Sequence, residues 1–90
     1  MTTVYQTATM GEARVRVALV DRGSADLLVH RVGSPGLAHG DALWCLTRTR
    51  QGAALLAYFT SQGMAQLKIC FVDSHGEAGW TKPHPLRGQL

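Results

Sequence analysis

Apolar and polar residues alternate along most of this chain in short runs, and each run starts at an alanine. ARVRVALV opens at Ala13, ADLLVHRV at Ala25, ALWCLT at Ala42, ALLAYFT at Ala54 and AQLKICFV at Ala65, and in each the residues two and four places after the alanine are apolar or aromatic. Measured from Ala13 to Ala25 and Ala38, and from Ala42 to Ala54, Ala65 and Ala78, the phrases are 11 to 13 residues long. A period of two puts alternate side chains on opposite faces of a strand, and no window sustains the longer period of a helix. The pattern predicts strands over residues 4–8, 13–20, 25–32, 42–47, 54–60 and 65–72, with a short one at 79–81. Between them stand DRGS, GSPGLAHGD, RTRQG, SQG and DSHGE, whose Gly, Asp, Ser and Pro residues form turns.

Residues 1–90 therefore read as a single all-β repeat domain. The connections suit antiparallel hairpins, because parallel strands joined by helices need about a dozen residues or more between them. The predicted architecture is an antiparallel meander of five to six short strands forming a partial barrel or small sandwich. A two-layer β-solenoid, with each phrase as a half-turn, is the alternative. The meander leaves one strand between Cys45 and Cys70 and both thiols free. The solenoid makes their strands neighbours within reach of a crosslink.

The alternation also predicts faces. The face that carries the alanines holds Val15, Val17, Leu19, Leu27, Val29, Trp44, Leu46, Leu56, Tyr58, Leu67, Ile69 and Phe71, which form the expected core. The other face carries Arg14, Arg16, Gln66 and Lys68 in the outer repeats, but Leu28, Val32, Leu43, Cys45, Leu55, Ala57 and Phe59 in the middle ones. With sequential strands as neighbours, these form one apolar patch that must be covered. The cover is either the chain's own ends, through Val4, Tyr5, Trp80, Pro83, Pro85 and Leu86, or a second copy.

Composition narrows the classes. Hydrophobic residues at 46% and charged residues at 17% belong to a compact chain rather than a disordered one. The opening TTVYQTATMG lacks the basic leader and leucine-type core of a secretory signal. Arg14, Asp26, Arg31 and Lys68 interrupt every apolar run short of the roughly 18 residues of a membrane span. The cytoplasm is the expected location, where two cysteines are free thiols rather than a disulfide framework. The formal charge of +3 is mild, and the pairs Arg14 with Arg16 and Arg48 with Arg50 read as solvent faces of strands rather than phosphate contacts.

The segments GEARVRVALVD, ADLLVHRV and AQLKICFVDSHGEAGW resemble a family of short bacterial proteins of uncharacterised function, built from alanine-started strand repeats, an aspartate turn and a closing Glu-Ala-Gly-Trp. The resemblance covers residues 11–32 and 63–80 and lapses between them, where GSPGLAHGD lengthens one phrase. It implies a β-rich repeat domain and carries no catalytic residue with it.

Candidate chemistry is sparse. His39 and Asp41 flank Gly40, and His30 precedes them on a strand, but the spacing matches no metal signature. Asp73, His75 and Glu77 share one turn-forming cluster, and with His39 and Asp41 they would serve a small hydrolytic or metal-dependent enzyme if the two loops met within about 5 Å. Cys45 and Cys70 lie inside strands, away from any feature that activates a thiol. Trp44, Tyr58, Phe59 and Phe71 are the aromatics available to a weak nucleic-acid-binding barrel, and only Phe59 falls outside the expected core face. No catalytic, cofactor or metal residue is assigned. The reading favoured by these observations is a small intracellular binding module that pairs with a second copy or another protein. Its contact core is Leu28, Val32, Leu43, Leu55 and Phe59, with Arg14, Arg16 and Lys68 as a polar rim.

Overall fold

A computed structural model describes residues 2–90. Every predicted strand is present. Strands β1 (Thr2–Gln6), β2 (Val15–Leu19), β3 (Leu27–Arg31), β4 (Leu43–Thr47), β5 (Leu55–Phe59) and β6 (Leu67–Phe71) lie in the order β4-β1-β5-β2-β6-β3, and β3 closes back onto β4. A short β7 (Gly79–Trp80) runs beside the first half of β3. The domain is all-β, and its sheet forms a small barrel. Among the described residues no helix is long and apolar enough to cross a membrane.

The strand direction corrects the expected meander. All six barrel strands are parallel to their neighbours, and only β7 is antiparallel. The two-layer solenoid is corrected as well, because the strands close into one barrel. Consecutive strands are mostly two places apart around it, so the second half of the chain fills the gaps left by the first. Cys45 and Cys70 still have one strand between them, now β3, and both are free.

Short connections suffice because the strands are steeply tilted. Going round the barrel from Val4 to Leu55, two residues on to Ala57, across to Val15, and likewise through Val17, Leu67, Ile69, Leu27, His30, Leu43, Trp44 and Thr2, returns to β1 with a total stagger of 12 residues. A shear of 12 over six strands corresponds to a tilt of roughly 54°, taking about 3.3 Å per residue and 4.8 Å between strands. Each strand therefore carries the chain most of the way round to its next slot while it climbs. The connection has only to drop back along the barrel axis, which needs no crossover helix.

That descent is made by single 3₁₀ turns, and here the alanines find their role. Met10–Glu12, Arg22–Ser24, Pro35–Leu37, Gln62–Met64 and His75–Glu77 are each followed by an alanine whose N–H bonds the carbonyl three residues back. The sixth such bond runs from Ala53 to Arg50 at 3.2 Å. Thus Ala53, not Ala54, opens the fourth phrase. That one-residue slip reverses the faces of β5: Leu55 and Ala57 point into the barrel and are 2% and 0% exposed, whereas Leu56 and Tyr58 are only half-buried. The corrected phase also exposes a longer repeat. The elements from β2 through Pro35–Leu37 recur 40 residues later as β5, Gln62–Met64, β6 and His75–Glu77.

The stagger sorts the inward residues into layers. Val4, Val17, Val29, Trp44, Ala57 and Ile69 share the middle level, with Val15, Leu27, Ala42, Leu55 and Leu67 beneath them toward the strand N-termini. All of these are buried except Ala42, which packs against the rest. Trp44 is the one large ring in the interior, and Ala57 in its own layer and Ala42 below leave volume for it. Its indole Nε1 donates to the carbonyl of Asp41 at 2.6 Å, so the ring carries no unpaired polar atom inside. Trp44→Ala is expected to cost about 3–5 kcal/mol by opening a cavity that the closed sheet cannot collapse around. Chemical denaturation of the two chains measures it, and a loss under about 1 kcal/mol would contradict this packing.

Candidate functional site

Parallel strands make the two ends of the barrel unlike. Residues after β6 close the N-terminal mouth. β7 pairs with Leu27 and Leu28, and beyond it Leu86 and Leu90 join Trp80 in packing on the core. Two carboxylates fasten this tail. Asp41 accepts the Trp80 indole N–H at 2.9 Å, the Gly88 N–H at 2.5 Å and the Leu90 N–H at 3.1 Å. Gly88 has φ of +83°, the left-handed turn that brings both backbone donors round to one carboxylate. Asp26, only 6% exposed, accepts the Lys68 N–H at 3.1 Å and faces Lys82 Nζ at 3.5 Å and His84 Nε2 at 3.6 Å. The His84 ring in turn stacks on Trp80 at a centroid distance of 5.2 Å.

Among the described residues the C-terminal mouth has no such cover. The next level of the inward stagger is Gln6, Leu19, Arg31, Leu46, Phe59 and Phe71, the last inward position of each strand. Phe59 and Phe71 lie partly against the core, but Leu19 is 58% and Leu46 41% exposed. The sequence placed both leucines in the core, and they follow its alternation. They are exposed because the barrel ends at their level. Arg31 lies over the Phe71 ring, 5.1 Å from its centroid, and Arg50 lies 5.7 Å from that of Tyr5 while also pairing with Glu12. Beside the mouth, between β1 and β4, is an open cavity of about 440 Å³ lined by Val4, Tyr5, Gln6, Leu46, Thr47 and Arg48.

The residues expected to share one contact face are divided. Leu55 is inside the barrel. Leu28 and Leu43 face outward from β3 and β4 but are 8% and 9% exposed, because the turns His75–Glu77 and Pro35–Leu37 pack over these strands. The chain's own connections provide the cover. Phe59 belongs to the open mouth instead, and Val32 lies beyond the end of β3. The expected rim is elsewhere too, since β2 and β6 are separated from β4 by other strands. Arg16 donates through Nε to the Met64 carbonyl at 2.9 Å, Arg14 reaches the Gln89 carbonyl at 3.5 Å, and Lys68 is half-buried beside Asp26.

The enzyme constellation is divided in the same way. His39 and His75 do meet, with His30, in one small pocket. Their carboxylates are occupied elsewhere: Asp41 holds the tail, and Glu77 accepts from Arg22 at 2.5 Å and from the Ser74 hydroxyl at 2.9 Å. Among the described residues no group of three His, Cys, Asp or Glu side chains is placed to hold a metal ion.

Two expected outcomes follow from the carboxylates. Asp41→Ala removes three hydrogen bonds to a charged acceptor and should lower stability by about 2 kcal/mol or more. Amide exchange at Gly88 and Leu90 should quicken, and unchanged protection there would contradict the tail's attachment. The hydrogen bond and charge of Arg22, with the Ser74 hydroxyl, hold the Glu77 carboxyl below its ordinary range. A depressed carboxylate favours the folded chain above the ordinary range of about 4.3, and that contribution is lost as pH falls through the lowered value. NMR titration should find Glu77 protonating at lower pH than a free glutamate, with Arg22→Ala moving the midpoint up.

No curated protein and no solved structure matches the chain. A family description does match, that of the 7(1) septoil knot domain, and it runs over residues 1–81, through the GSPGLAHGD segment where the sequence resemblance lapsed. It stops just past β7, so the fold and the open mouth lie within it while most of the closing tail lies beyond. The match covers most of the chain, and the protein belongs to the septoil knot domain family.

Proposed function

We propose that this chain is a small binding module that self-associates through the open C-terminal mouth of its barrel. The observation that carries the reading is the contrast between the two ends: one is sealed by the chain's own tail, whereas the other presents Leu19 and Leu46 beside Phe59 and Phe71. Burying these residues removes apolar surface from water, at roughly 25 cal/mol per Å². A second copy suits the mouth because a two-fold contact needs a self-complementary surface. The rim supplies both signs, with Arg31 and Arg48 on one hand and Asp21 and Asp73, two residues beyond Leu19 and Phe71, on the other. A cytoplasmic setting fits the two free thiols.

Light scattering on the full chain at about 100 μM is expected to give a mass above the 9.7 kDa of one copy. The double variant Leu19→Asp with Leu46→Asp should return it to that mass, since both positions are exposed in the single chain and tolerate charge without unfolding it. A wild-type chain that stays monomeric at that concentration rules the reading out.

A further inference from the structure

The seam between β3 and β4 carries a second concavity on the outside of the barrel, about 280 Å³ in volume. His30 and Val32 line it from β3 and the residues just after, Leu37 and His39 from the β3–β4 connection, Leu43 from β4, and His75 from the turn that follows β6. Three imidazoles from separated parts of the chain thus face three aliphatic side chains. His30 is the anchored one. Its Nδ1 lies 3.1 Å from the Val72 carbonyl oxygen, which can only accept, so Nδ1 carries a proton and Nε2 is left for another partner.

The charged groups on the surrounding elements are directed elsewhere. Asp41, in the same connection as His39, is held by the tail; Glu77 is held by Arg22 and Ser74; and Arg31, next to His30, lies over Phe71. Asp73 is exposed in the segment before His75 and does not line the cavity. The imidazoles are therefore the titratable groups that line the space. They surround it without converging on one point, in keeping with the lack of a metal-holding group among the described residues.

A pocket with an aliphatic wall and several imidazole N–H groups suits a ligand with an apolar body and an anionic end. We propose that this pocket binds a small organic carboxylate, its charged end bonded by the Nε2 of His30, with His39 and His75 lining the space around it, and its body laid on Val32, Leu37 and Leu43. The volume lies just under the usual range for small-molecule sites, about 300–1,000 Å³, which restricts the ligand to a single ring or a short chain. Leu37, 57% exposed in the free chain, is the surface that the ligand covers. Charge-assisted bonds from imidazolium are stronger than those from neutral imidazole, and imidazole gains its charge between about pH 8 and pH 5 while a carboxylate is still ionised. The site is separate from the open mouth, and binding there does not depend on self-association.

The test titrates the full chain with benzoate, followed by NMR of its imidazole and leucine methyl signals. Saturable shifts are expected at His30, His39, His75, Leu37 and Leu43, with affinity at least tenfold higher at pH 5.5 than at pH 8 and at least tenfold lower in His30→Gln. His39→Gln, at an exposed position, should weaken binding severalfold and serves where His30→Gln fails to fold. Benzyl alcohol, with the same ring and no charge, should bind far more weakly. Equal binding of benzyl alcohol, an affinity that does not change with pH, or no saturable shift at pH 5.5 would overturn the proposal. So would one equivalent of zinc ion binding the three histidines and excluding benzoate, which would make this a metal site.

Discussion

A barrel of six five-residue strands stands or falls on the stagger between them. With strands upright, six would enclose too narrow a space for their own side chains. A total shear of 12 residues tilts them and widens the barrel to a radius of roughly 8 Å, enough for layers of aliphatic groups. The same stagger leaves β2, β3, β5 and β6 two fully enclosed positions each, Val15 and Val17, Leu27 and Val29, Leu55 and Ala57, and Leu67 and Ile69. The interior is therefore filled mostly by valine, leucine and isoleucine, with Ala42 and Ala57 offsetting the volume of Trp44. It also returns the chain to the right height after every strand, which is why one 3₁₀ turn can replace a crossover helix.

Parallel closure then gives the molecule a direction. In an antiparallel meander both ends would present a mixture of strand starts and strand ends. Here one end collects all the starts, where the carboxylates of Asp26 and Asp41 sit ahead of β3 and β4 and fasten the tail. The other end collects the last inward residues, and among the described residues no segment packs across Leu19 and Leu46, which stay exposed. Sealed and open mouths arise from strand direction together with the position of the tail, rather than from any difference in the repeats themselves.

Interleaving has a further effect on polar groups. Residues far apart in the chain become neighbours wherever one winding lies beside the other, so Arg22 reaches Glu77 and His30 shares a pocket with His75. The turns of one half lie over the strands of the other, and the outward leucines of β3 and β4 are covered by them. Buried polar side chains are satisfied throughout the described residues. Those left facing concavities are therefore the ones whose chemistry remains available, and in the β3–β4 seam these are the histidines.

Much of the fold was legible in the sequence because alternation is a local signal. A period of two names a strand and assigns its faces without any knowledge of its neighbours, and β2, β3, β4 and β6 obey it for Val15, Val17, Leu27, Val29, Trp44, Leu67 and Ile69. Where two alanines adjoin, at Ala53 and Ala54, the pattern holds two equal phases, and only the hydrogen bond that ends the preceding turn selects between them. Strand direction was not local at all. It depends on the tilt of the closed barrel, and a rule drawn from upright strands with short connections points to the opposite sense. Exposure of Leu19 and Leu46 was hidden for a related reason, since periodicity marks which way a side chain points but not how far along the axis the barrel extends. His30, His39 and His75 could each be picked out from the chain. Their meeting across the β3–β4 seam was decided by the winding that brings the turn after β6 back over β3, so that His30 and His75, 45 apart in sequence, line one pocket.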